Sequence, residues 1–198
     1  MDKKYSSSYF EEYARLTLLD IAPEWATNLV RSDRPDLQND ADSIGIEVTS
    51  STPGIQREIS AYGNRMLGKE ITQKEIDCFH GEFFCEQGKV CAFSPTKGLC
   101  TIQYVKEISD SICAKISKAK NYKQFGINGL YIFTGTSLID DVDLEELAAL
   151  DVMRYYDFVY LNCIDIIYRF QNKSYEKFEI SNERLVFYKK EALKITEQ

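Results

Sequence analysis

The chain has 198 residues, with 31 acidic against 24 basic side chains, a net charge of −7 and 44% hydrophobic residues. That balance belongs to a folded globular protein with room for a real core, and the 13% aromatic content excludes disorder as the main state. The acidic excess excludes a protein that coats nucleic acid by bulk charge, though not one with a local basic surface.

Tyr9 to about Ile21 has helical periodicity, with Tyr9, Tyr13, Leu16 and Leu19 on one face and Ser6 to Ser8 as N-cap candidates. Met1 to Ser8 lacks the apolar run of a signal peptide, and no apolar stretch reaches bilayer-spanning length before a charge interrupts it. Pro23 breaks the helix, and Trp25 to Val30 suits a second helix or an extended segment. Arg34 to Gln38, a polar Asn39 to Ser43, and the β-branched run Ile44 to Thr49 read together as a β-hairpin. A turn over Ser50 to Gly54 leads into a predicted helix from Ile55 to about Met66. Residues 68–100 hold four of the six cysteines and read as a loop-rich insertion within a single domain spanning 1–198. Ile102 to Tyr122 is again helical, with Val105, Ile108, Ile112, Ile116 and Ala119 on one stripe. A buried strand over Leu130 to Thr134, a helix over Asp143 to Tyr155 and strands over Phe158 to Leu161 and Ile164 to Arg169 follow, then a last helix from Ser181 to Lys194. This order predicts one mixed central sheet flanked by helices, in the α/β or α+β class.

The chemistry concentrates at Pro35-Asp36 and Ile46-Glu47-Val48-Thr49. If the hairpin is symmetric about residues 41 and 42, Asp36 faces Glu47 on one side, while Leu37, Ile44, Ile46 and Val48 fill the other. Two opposed carboxylates are unfavourable without a cation between them, and Mg²⁺ is commonly held by one or two carboxylates. Pro35-Asp36-Leu37 followed by Ile44-Gly-Ile-Glu-Val-Thr49 resembles the PD-(D/E)xK nuclease superfamily, with the helix–strand unit from Ile102 to Thr134 in keeping with that restriction-endonuclease-like fold. The resemblance covers residues 8–67 and 101–170. It implies that Asp36, Glu47 and the Val48 carbonyl bind Mg²⁺ or Mn²⁺, which polarises a DNA phosphodiester and helps generate hydroxide from water. It also implies a lysine at the position where this chain has Thr49.

Relatives in that superfamily can supply the lysine from another element. At 100° per residue Lys115 lies about 20° from Ile108, inside the apolar stripe of its helix. Reaching an anionic metal site is one reason for a lysine there, and snorkelling to solvent is the other. Lys118, at the stripe's edge, is the substitute. The resemblance further implies an acid on the first helix. Glu12, which shares the apolar face, is preferred to Glu11, which points away; the other reading of Glu12 is an exposed helix-start acid favoured by the dipole. Lysines 97, 106, 115, 118, 120 and 123 against Glu107 and Asp110 make residues 97–123 a local positive segment.

Cys78, His80, Cys85, Cys91 and Cys100 are zinc-ligand types at poor spacing, so structural Zn²⁺ is not expected and buried reduced thiols are. The absence of a leader pattern and of a cysteine framework leads to an expected cytoplasmic location, without a membrane partner and with a homodimer possible. The leading expectation is a Mg²⁺-dependent DNA nuclease. A catalytically inactive fold that binds nucleic acid or protein, favoured by Thr49, is the alternative. An interaction protein organised by the cysteine-containing insertion is a third.

Overall fold

A computed structural model describes residues 7–52, 54–94, 101–119, 122–134 and 139–196, and the side chains of all of these except 54–58, 101–103 and 196. In chain order the elements are α1 (Ser7–Ile21), α2 (Pro23–Ala26), β1 (Val30–Arg31), β2 (Leu37–Asn39), β3 (Ile44–Ser50), α3 (Gly54–Met66), α4 (Gln73–Cys78), β4 (Glu82–Glu86) and β5 (Lys89–Ser94). They continue with α5 (Thr101–Ala119), β6 (Ile127–Phe133), α6 (Asp141–Ala149), a 3₁₀ turn (Asp151–Tyr155), β7 (Phe158–Cys163), β8 (Ile166–Gln171), β9 (Ser174–Glu179) and α7 (Asn182–Thr196). These elements fall into two compact units, one within Thr52–Cys100 and the other within Lys3–Ser51 and Thr101–Gln198.

The larger unit is of the expected mixed α/β class. Its seven-stranded sheet has the order β1-β2-β3-β6-β7-β8-β9. The central strands β3, β6 and β7 run parallel, and antiparallel pairs flank them on both sides. Alternation along the strands separates two cores. Leu130, Ile132, Val159 and Leu161 pack with Val105, Ile108 and Ile112 of α5 and Leu144 and Leu147 of α6. Ile44, Ile46, Val48, Tyr131 and Tyr160 pack with Ala14 and Leu18 of α1. The opposite side of α1 carries Tyr9, Tyr13 and Leu16 against Tyr188 and Ala192 of α7, with Tyr13 and Tyr188 edge-to-face at 5.5 Å.

One polar chain runs through the second core. The Tyr131 hydroxyl meets Thr17 Oγ1 at 3.0 Å and accepts Asn162 Nδ2 at 2.7 Å, so a buried phenol is fully partnered. The β2–β3 turn is stapled by Asn39, whose Oδ1 accepts the Asp42 N–H at 3.1 Å while its Nδ2 donates to the Trp25 carbonyl at 2.9 Å.

The smaller unit is more regular than a loop-rich insertion. It takes in α3 as well as α4 and the antiparallel β4–β5 hairpin. Thr72 and Glu75 form a reciprocal capping box at the start of α4. Phe79 and Phe83 stack at 3.9 Å, with Tyr62 and Phe93 beside Phe79, and this aromatic cluster organises the unit.

Other expectations shift locally in the larger unit. The helix expected over Asp143 to Tyr155 is broken by an extended Leu150 into α6 and the 3₁₀ turn. Ile164 lies outside any strand, at φ 71° in the β7–β8 turn, where Asn162 Oδ1 accepts its N–H. The strands β1 and β9 were not expected.

Candidate active site

Leu37 pairs with Ile46 and Gln38 with Gly45, the register that a hairpin symmetric about residues 41 and 42 requires. Asp36, one residue before β2, therefore stands opposite Glu47. Val48 donates its N–H to Asp36 Oδ2 at 2.7 Å, which holds the carboxylate across the open end of the hairpin. Because the N–H and C=O of one residue leave an extended strand on the same edge, the Val48 carbonyl also faces the Asp36 side.

The face of β3 that carries Glu47 is covered by α5. Burial of Ile108 and Ile112 fixes the rotation of that helix, and Lys115 follows one turn later on the same side. Its Nζ donates to Glu47 Oε2 at 2.5 Å and stands 3.6 Å from Asp36 Oδ2. The lysine and glutamate side chains are only 17% and 5% exposed, so Lys115 is not snorkelling to solvent. Thr49, half-buried two residues beyond Glu47, carries no charge, and the cation near the two acids comes from α5.

Burial raises the Glu47 carboxyl above its ordinary range; the Lys115 hydrogen bond opposes this and the charge of Asp36 adds to it. Burial by itself would lower Lys115, but the hydrogen bond to Glu47 and the charges of Glu47 and Asp36 outweigh it and leave the ammonium raised. Lys115 is thus positively charged throughout the physiological range.

The first-helix acid comes out differently from the apolar-face argument. Glu12 is buried, but Arg15 takes both its oxygens, Nε to Oε2 at 3.0 Å and Nη2 to Oε1 at 2.7 Å, and Arg31 Nε stands 3.7 Å away. The structure does not bring Glu12 to the other candidates. Glu11 is the acid that senses them: its carboxyl is raised by burial and then by the charge of Asp36, with Arg31 and Lys115 opposing. Sharing the hydrophobic stripe carried Glu12 in among arginines, whereas the neighbouring position is near enough to feel the charges of Asp36 and Lys115. No periodicity argument could have found that.

The remaining basic residues are dispersed. Lys118 is exposed, Lys106 pairs with Asp110 at 2.7 Å, and Lys123 pairs with Asp40 at 2.5 Å while lying over the Phe125 ring. Lys97 and Lys120 lie outside the described residues, as does Cys100. Of the insertion cysteines among the described residues, Cys78, Cys85 and Cys91 are free and exposed rather than buried; outside the insertion Cys113 is exposed and Cys163 buried.

Among the described residues no three His, Cys, Asp or Glu side chains gather to hold a metal ion. The donor set at the hairpin is instead two carboxylates and a carbonyl, hard oxygens of the kind Mg²⁺ and Mn²⁺ accept. Glu47 Oε1 is buried and has no hydrogen-bond partner among the described residues, an orphaned acceptor in keeping with a cation ligand. The residues therefore fit such an ion. No protein-family model, no curated protein and no solved structure matches the chain.

Proposed function

We propose that this chain is a PD-(D/E)xK-like nuclease that hydrolyses DNA phosphodiester bonds, with Mg²⁺ or Mn²⁺ held by Asp36, Glu47 and the Val48 carbonyl. The observation that carries this reading is the approach of Lys115 to both acids from α5, where the motif position itself has Thr49. A divalent cation bound there would supply Lewis acidity to a phosphate oxygen and lower the pKa of a nearby water. The chain's own residues do the rest. Asp36 is pre-oriented by the Val48 N–H, so its carboxylate needs no rearrangement to receive positive charge. Lys115 stays protonated and has three donors, of which Glu47 takes one, leaving others for the charge that grows on the phosphate during attack at phosphorus. Burial of this group beside a sheet keeps the electrostatics strong.

The competing reading, a non-catalytic fold that binds nucleic acid or protein, draws on the same contact. With Lys115 seated beside them, the two acids already have a counter-charge.

Purified protein incubated with plasmid, linear and single-stranded DNA in Mg²⁺ or Mn²⁺ separates the two. The nuclease reading expects cleavage that falls by about 10²-fold or more in Asp36→Ala, Glu47→Ala and Lys115→Ala. Cleavage that survives both acid substitutions refutes the site. No cleavage of any substrate, with no divalent-ion binding by calorimetry, supports the binding module.

A further inference from the structure

A cavity of about 170 Å³ opens beside Glu47 in the larger unit. Its walls include Tyr122, Gln124, Asn128, Tyr155 and Tyr156, and neither Asp36 nor Lys115 lines it. Among the described residues, Glu47 is thus the member of the carboxylate–lysine cluster that the cavity shares. Two atoms of its lining residues, Glu47 Oε1 and the Tyr156 hydroxyl, are buried without a hydrogen-bond partner among the described residues. Their residues are 4% and 6% exposed, so both lack the compensation that burial of a polar group demands.

The rest of the lining narrows what would fit. Gln124 spends its Nε2 on the Tyr122 carbonyl at 3.1 Å, and Asn128 its Nδ2 on the Phe125 carbonyl at 3.0 Å. Gln124 Nε2 also reaches the Ala119 carbonyl at 3.5 Å, so its oxygen is what it offers a ligand, while Asn128 keeps one amide N–H beside its oxygen. The lining thus mixes acceptors with donors, the Tyr156 hydroxyl and the Lys123 ammonium among the latter, and the rings of Tyr122 and the exposed Tyr155 supply flat apolar surface. A planar ring system with both donors and acceptors on its edge matches both properties. The cavity has room for one such ring system.

Resting on the nuclease reading, we propose that this cavity receives a single unpaired nucleobase of the substrate strand, next to the phosphate at Asp36, Glu47 and Lys115. The substrate class that follows is single-stranded or locally unpaired nucleic acid, since a paired base must first leave its stack to enter. Stacking on tyrosine makes the pocket tolerant of sequence.

The test is calorimetric binding of the four deoxynucleoside 5′-monophosphates to the full chain without divalent metal, with deoxyribose 5-phosphate and inorganic phosphate as base-free controls. At least one nucleotide should bind about tenfold more tightly than either control. Tyr122→Ala and Tyr155→Ala should each remove about tenfold of that preference, and Tyr122→Phe, which keeps the ring, should retain it. Circular dichroism melting of each variant confirms that the fold persists. Equal binding of nucleotide and base-free sugar phosphate overturns the pocket, as does a preference untouched by both alanine variants. Because no cleavage is needed, DNA cleavage without base-dependent binding overturns the pocket alone. Base-dependent binding without any cleavage refutes the nuclease reading and leaves the pocket standing.

Discussion

Replacing Lys115 by Met removes the cation and keeps most of the side-chain volume, leaving Asp36 and Glu47 opposed. At an effective dielectric of about 20 the lost attractions are roughly 7 kcal/mol to Glu47 at 2.5 Å and roughly 5 kcal/mol to Asp36 at 3.6 Å. Desolvation of the lysine offsets most of this, and breaking a buried pair from one side costs about 3–5 kcal/mol net. The loss should depend on pH. Glu47 has a folded pKa above its ordinary 4.5, so its contribution to stability is greatest below 4.5 and is withdrawn as pH rises through the folded value. Without Lys115 that folded value moves higher, and the decline extends toward neutral pH. Lys115→Met should therefore be closer to wild type at pH ~5 than at pH ~8. The wild type should show the complementary alkaline loss only above 10.5, as Lys115 deprotonates through its raised value. Trp25, the only tryptophan, stacks on Phe158 at 5.4 Å, so its fluorescence in urea follows the larger unit alone. Adding Glu47→Leu to Lys115→Met should recover stability to within about 1 kcal/mol of wild type, because a buried pair replaced on both sides is near neutral. A destabilisation below about 1 kcal/mol, the same at both pH values, would refute the buried ion pair.

Three further outcomes follow from the geometry. Glu12→Gln should cost about 1.5–3 kcal/mol in urea unfolding through its arginine contacts, while Glu11→Gln should leave stability unchanged and weaken Mn²⁺ binding about tenfold by calorimetry. The reverse pattern would return the role to Glu12. Gly45→Ala would place a Cβ 2.6 Å from Phe125 Cδ2 and 2.7 Å from Pro35 Cγ, so a loss of about 1–3 kcal/mol is expected, and a thermal midpoint equal to wild type would contradict that packing. Lys173→Gly, at φ 64° in the β8–β9 turn, should stabilise by about 1 kcal/mol, and any destabilisation would show that the side chain contributes more than its backbone strain removes.

The site was more legible than the sheet's margins. The hairpin could be read because β-branched residues alternate along β3 and because a short symmetric turn fixes register without help from the rest of the fold. Lys115 stood out since a lysine in an apolar helical stripe needs a counter-charge, and the structure supplies two. Edge strands were harder. β9 is mostly exposed, with partly covered Tyr175 and Phe178 three positions apart rather than two, so no alternation marks it. Its turn, Asn172-Lys173, takes positive φ at both residues without the glycine that usually signals it. Ile164 shows the opposite failure: a β-branched residue with every strand propensity is held in a turn because the Asn162 side chain engages its N–H. The choice between Glu11 and Glu12 depended on where two arginines lie, and Arg31 belongs to a two-residue strand with no sequence signature.

The parallel pairing of β3 with β6 joins Ile44 to Ile127, and the whole smaller unit is made between them. During synthesis the two acids leave the ribosome long before α5 and β6, with Glu47 on a strand that has only its hairpin partner. Loop closure over so long a stretch is slow compared with local folding, and the N-terminal part of a chain waits for its later partners. The carboxylates therefore meet their lysine only after α5 has been made. A chain that stops before α5 would carry the two acids without the lysine that gives them a counter-charge.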